Sequence, residues 1–192
     1  MSTNRLVTKE QVAAYASIMF DAAYEAGGQD GVLEVRDQAK AVIAAIRGNL
    51  DLASALKDTA YTPEQRGELA RGVFGGCNPI LVDVLGVMAE RKDSELLPRV
   101  WESYEQQLED KLNICVVDVT TVVELDDRLR DSIIKKAESE LGMKVVLREH
   151  IDASILGGII MSTGGRRIDA SVLLQLDHAR DVLKQSTDGG EC

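Results

Sequence analysis

The hydrophobic repeat of this chain changes once, near Leu112, from a period of about 3.6 residues to about 2. A pattern at helical spacing cannot serve as a strand, nor an alternating one as a surface helix, so the change predicts two differently built halves. Before it, six helices are expected. The first carries Val12, Tyr15, Ala16, Met19 and Ala23 on one face, with Thr8 and Gln11 as its capping pair and Gly27-Gly28 at its end. The second runs from about Asp30 to Arg47, and a short third from Leu50 to Lys57. Thr62-Pro63-Glu64-Gln65 and Asn78-Pro79 each combine a capping side chain with proline at the first helical position, and open the fourth and fifth. Ile80, Leu81, Val84, Leu85, Val87 and Met88 make the fifth apolar on more than one side, which predicts a central place in the bundle. The sixth starts near Ser94 and aligns Leu97, Val100, Trp101, Tyr104, Leu108 and Leu112.

Beyond Leu112, Cys115, Val117, Val119, Thr121 and Val123 alternate as a strand. Asp126 then caps a helix closed by Gly142, and Lys144 to Ile151 forms a second strand. The stretch Ile155–Met161 reads as a third, turning at Gly164-Gly165 into a short return strand. Asp169 and Ser171 open the last helix. Gly157 and Gly158, set among β-branched residues, are costly unless another backbone passes close by. The fold class expected is mainly α: a six-helix bundle over residues 1–110, a small α+β domain with a β-hairpin over 111–185, and a disordered tail over 186–192.

Bulk chemistry removes several function classes. The 192 residues carry 22 basic and 32 acidic side chains, a net charge of −10, of which −7 falls up to Asp110 and −3 beyond it. Nucleic acid needs a concentrated basic face and is a poor partner for such a chain. Cys77, Cys115 and Cys192 are too far apart for a metal pair and odd in number, which fits a reducing compartment. No stretch approaches the roughly 20 apolar residues that cross a bilayer, so any membrane attachment is expected through partners. Neither a phosphate loop nor a nucleophile elbow is present. Glu149, His150 and Asp152 are ligand types, but neighbours on a strand point to opposite faces. No catalytic residue, metal or cofactor is expected. What remains is surface: alanines beside Tyr15, Met19 and Phe20 on the first helix suit close approach of a partner helix.

Three segments carry a family resemblance. They are Tyr15-Ala16 with Phe20-Asp21-Ala22-Ala23, Val119-Thr120-Thr121 before Leu125 and Leu129, and above all Ile151-Asp152-Ala153-Ser154-Ile155-Leu156-Gly157-Gly158 continuing to Ile168-Asp169-Ala170-Ser171-Val172. In this order and spacing the chain resembles the delta subunits of bacterial F-type ATP synthases, similar to the mitochondrial oligomycin-sensitivity-conferring protein. The resemblance implies a non-catalytic peripheral-stalk subunit at the cytoplasmic face of the membrane, in a complex that makes ATP from a proton gradient. It implies an N-terminal domain that binds N-terminal segments of the alpha subunits and a C-terminal domain that holds the b subunits. On this basis Tyr15, Ala16, Met19 and Phe20 are expected to border the alpha-binding groove, with Val84 and Met88 opposite. Where the family commonly has glycine, arginine and glycine, this chain has Ala170, Leu173 and Leu174, so the last helix is more apolar. Leu173 and Leu174 are therefore expected at a hydrophobic contact with b. The alternative is a free-standing helical adaptor regulating another complex.

Overall fold

The computed structural model describes residues 2–163 and 166–187. Two units separate between Gln107 and Leu108, three residues before the boundary read from the sequence. In the first unit the chain begins with α1 (Ser2–Gly48), which runs straight through Thr8, so the expected cap there does not form. The two helices anticipated on either side of Gly27-Gly28 are arms of this one element. Gly28 (φ 58°, ψ −142°) leaves the helical region and breaks the axis between them. α2 (Leu50–Ala55), α3 (Pro63–Val73), α4 (Pro79–Arg91) and α5 (Leu97–Leu112) follow, the last entered through a 3₁₀ turn over Ser94–Leu96.

Caps fix three of these starts. The Asn49 side chain accepts from Leu52 N at 3.1 Å. Thr62 and Gln65 form a reciprocal box, with Gln65 N donating to Thr62 Oγ1 at 3.3 Å and Thr62 N to Gln65 Oε1 at 2.9 Å. Asn78 accepts from Ile80 N ahead of α4. α4 buries Leu81, Val84, Leu85, Met88 and Ala89, as its two-sided apolar pattern requires.

Two buried arginines complete this unit. Arg36 directs Nε and Nη2 onto Glu105 Oε1 at 3.0 and 2.6 Å and Nη1 onto Asp37 at 2.9 Å, with its guanidinium 5.4 Å from the Trp101 ring centre. Arg66 donates to main-chain oxygens: Ala89 and Glu90 at the end of α4, and Asp58 and Tyr61 in the loop before α3. A cation at the carboxyl end of a helix also opposes the helix dipole, so one side chain closes α4 and pins the loop.

The second unit is a four-stranded sheet of order β2-β1-β3-β4, built from β1 (Ile114–Thr121), β2 (Lys144–Ile151), β3 (Gly158–Thr163) and β4 (Arg166–Ser171). β1 and β2 are parallel, with the crossover supplied by α6 (Asp127–Leu141); β3 and β4 are the antiparallel hairpin. α6 lays Ile133, Ile134, Ala137 and Leu141 on Val117, Val119 and Val145. α7 (Val172–Thr187) follows β4 directly. Ile155 lies not in a strand but in a 3₁₀ turn over Ala153–Ile155, and β3 begins only at Gly158. The backbone of α7 continues through Ser186 and Thr187; residues 188–192 of the expected tail lie outside the described residues.

One ion pair ties α6 to β2. Arg130 meets Glu149 through Nε at 2.5 Å and Nη2 at 3.2 Å, and its hydrogen bonds hold the Glu149 carboxyl below its ordinary range. A carboxylate whose folded pKa is depressed contributes stability that is complete above its unfolded value, about 4.3, and lost as pH falls through the folded value. Glu149→Gln should therefore flatten the fall in unfolding temperature below about pH 4.5. Thermal melts from pH 7 to pH 3 beside the wild type check this, and parallel curves would assign the acid sensitivity to other carboxylates.

Candidate interaction surfaces

All six residues expected to border the alpha-binding groove have their side chains inside the bundle. Ala16, Met19 and Met88 are fully buried, and Tyr15, Phe20 and Val84 nearly so. Their polar atoms are committed internally. The Tyr15 hydroxyl donates to Asp93 Oδ2 at 2.9 Å, and burial beside this carboxylate pushes the phenol up. The Phe20 ring sits 5.5 Å from that of Tyr104, whose hydroxyl donates to Val32 O at 2.9 Å. These residues shape the core, and their neighbours on α1 lie outside it.

Those neighbours form a second row on the same arm. Ala14, Ile18 and Ala22 follow at helical spacing on the side away from the core stripe, and Ile18 stands 63% exposed between them. Leu6, Val7 and Tyr24 are exposed on the same arm. Small residues flanking one large apolar side chain let a second helix come close while one anchor is buried. The signal was in the sequence: an isoleucine off the core stripe.

Elsewhere in this unit an apolar recess of about 350 Å³ opens between the end of α1, α2 and the start of α5, floored by Ile43, Ile46, Leu56 and Leu97. Its rim carries Arg47 and the exposed Lys57–Glu95 ion pair.

In the second unit, Leu173 and Leu174 both face outward in part, and Val172, Leu176, Val182 and Leu183 are exposed on the same helix. Ser171 Oγ accepts from Leu174 N at 3.2 Å, and Asp169 Oδ1 accepts from Ser171 N at 3.0 Å, fixing the turn from β4 into α7. Gly157 and Gly158 lie where this turn crosses the start of β3. A Cβ on Gly158 would fall 2.2 Å from Ala170 O, and one on Gly157 3.1 Å from Val172 Cγ2. The hairpin glycines Gly164 and Gly165 lie outside the described residues.

The ligand types around His150 diverge. Glu149 meets Arg130, His150 Nε2 lies 3.4 Å from Asp118 Oδ1, and Asp152 accepts from Ser154 N. Among the described residues, no three histidine, cysteine or carboxylate side chains gather as a metal site, and no helix is long and apolar enough to cross a membrane.

Residues 12–183 match the family described as ATP synthase delta (OSCP) subunit, a span that runs through both units. The chain belongs to this family. Among its relatives, the ATP synthase subunit delta of Desulfotalea psychrophila is 28% identical over 172 residues, 88% of this chain and 93% of the relative. That of Rhodobacter capsulatus is 26% identical over 187 residues, 96% and 99% of the two chains. A chain in the cryo-EM structure of the Toxoplasma gondii mitochondrial ATP synthase hexamer shares the fold, with a TM-score of 0.51 at 19% identity, covering 90% of this chain and 96% of that one. As a member of the delta/OSCP family, the chain is a peripheral-stalk subunit of an F-type ATP synthase. It is a structural part that does no chemistry of its own.

Proposed function

We propose that this subunit is the bracket between head and stalk. The first unit receives N-terminal segments of the alpha subunits on the exposed row of α1, and the second holds the b subunits on α7. The head is thereby kept from turning with the rotor, and proton-driven rotation is spent on ATP synthesis. Attachment to the cytoplasmic face of the membrane comes through b. The observation that carries this reading is that each unit presents its own exposed apolar helix row, Ile18 with its alanines in one and Leu173 with Leu174 in the other, within a family match spanning both. An adaptor of another complex would not require that match.

The test is a crossed titration. The full chain is titrated by calorimetry with synthetic peptides from the N-terminus of the synthase's alpha subunit and the C-terminus of its b subunit. Ile18→Glu should weaken the alpha peptide at least about tenfold and spare b, while Leu174→Glu should do the reverse, as anchor residues of a helix groove do. Loss of neither affinity would remove these faces from the interface. Ala16→Glu is unsuitable, because it buries a carboxylate in the bundle core and tests folding instead.

A further inference from the structure

At one end of the sheet, four strand ends place large apolar side chains in solvent. Ile151 closes β2 opposite Thr121, the last residue of β1, and Asp152 N donates to Thr121 O at 2.8 Å. Thr121 in turn pairs with Ile159 in β3, and its hydroxyl donates to Val123 O at 2.7 Å. Val172 N, just past β4, donates to Gly157 O at 3.0 Å. In the strand order β2, β1, β3, β4 the row therefore reads Ile151, Val123, Leu156, Val172, and all four are exposed, Val123 at 69% and Leu156 at 61%. The first turn of α6 adds Leu129. Three inter-strand gaps of about 4.8 Å make a row about 15 Å long, matching about ten residues of a helix laid across it.

Leu156 is the telling member. It holds φ 63°, ψ −20°, the left-handed region that a side chain enters only at a cost. A leucine there, 61% exposed, gains little from burial within this chain. Asparagine or glycine would suit the backbone better, so the apolar side chain is explained by something outside it. The row is rimmed by acid: Glu124, Asp126 and Asp152 stand against Arg128, while Arg130 is engaged by Glu149 and Asp127.

We infer that this end of the sheet is a docking surface continuous with the start of α7, and that its occupant is an amphipathic helix whose apolar stripe is flanked by lysine or arginine. The inference rests on the stalk-binding reading above and extends it: the b segment would lie across the sheet end as well as along α7.

Leu156→Asn is the decisive variant, because asparagine tolerates the left-handed backbone. The full chain should melt at the same temperature or higher, yet bind the b peptide about tenfold more weakly, as loss of one anchor predicts. Glu124→Lys should weaken the same peptide and flatten the salt dependence of its affinity. Wild-type affinity in Leu156→Asn while Leu174→Glu is impaired would overturn this inference and leave the stalk reading standing. A lowered melting temperature in Leu156→Asn would make the leucine structural, and would overturn it too. Absence of any binding by the wild-type chain would bring down the stalk reading itself.

Discussion

Replacing Glu105 with leucine should cost the N-terminal unit about 3 kcal/mol, the lower end of what removing one partner of a buried ion pair does. Arg36 has a side chain only 1% exposed, and Glu105 receives two of its hydrogen bonds. Without that carboxylate the guanidinium keeps Asp37 and the face of Trp101 but stays buried, because its backbone carbonyl is held by Trp101 Nε1 at 3.2 Å. The lower end of the range applies because Asp37 still neutralises part of the charge. In a domain of about this size each kcal/mol moves the melting temperature by about 4–8 °C, so a fall of about 12–24 °C is expected. The double variant Arg36→Met with Glu105→Leu should recover most of the loss, since exchanging both charges for apolar groups of similar volume is often near neutral. Thermal or urea unfolding of the two single variants and the double gives the coupling directly. A double loss equal to the sum of the singles would mean that the pair is not the unit that matters.

The same pair shows where sequence reading stops. Apolar periodicity assigns arginine to the solvent face, and Arg36 and Arg66 sit among core positions only because particular acceptors meet them. For Arg66 those acceptors are carbonyl oxygens, which every residue has, so no pattern of side chains announces the site. Starts written by side chains were readable, as at Thr62-Pro63 and Asn78-Pro79. Thr8 and Gln11 carry the same letters inside a helix that begins at Ser2. The core stripe and the outer row of α1 are both apolar, and composition does not say which of two apolar faces a bundle buries: Tyr15, Met19 and Phe20 lie in the core, Ile18 outside it. The change of period near Leu112 falls just before the first strand, which begins at Ile114. The parallel pairing of β1 with β2 and the order of the four strands depend on contacts between distant segments, which alternation does not specify.

Gly158→Ala should be the most damaging small substitution in the second unit, at roughly 2–5 kcal/mol. Two separable effects add. Gly158 has φ 80°, a conformation that costs any residue with a Cβ about 1–2 kcal/mol. That Cβ would also stand 2.2 Å from Ala170 O and 3.1 Å from Ser171 Cα, both main-chain atoms of the partner strand, and such overpacking adds about 1–3 kcal/mol. Gly142 supplies the control. It closes α6 at φ 71° with nothing within 4 Å of its would-be Cβ, so Gly142→Ala should cost only the conformational part, about 1–2 kcal/mol. The steric part has a consequence that stability alone does not show. Gly158 pairs with Ser171, the residue whose hydroxyl caps α7, so parting β3 from β4 here shifts the helix that carries Leu173 and Leu174. Gly158→Ala should therefore lose affinity for the b peptide even at temperatures where it stays folded, whereas Gly142→Ala should bind as the wild type does. Equal melting temperatures for the two variants would show that β4 gives way without cost. The close approach of the two backbones would then not be what positions α7.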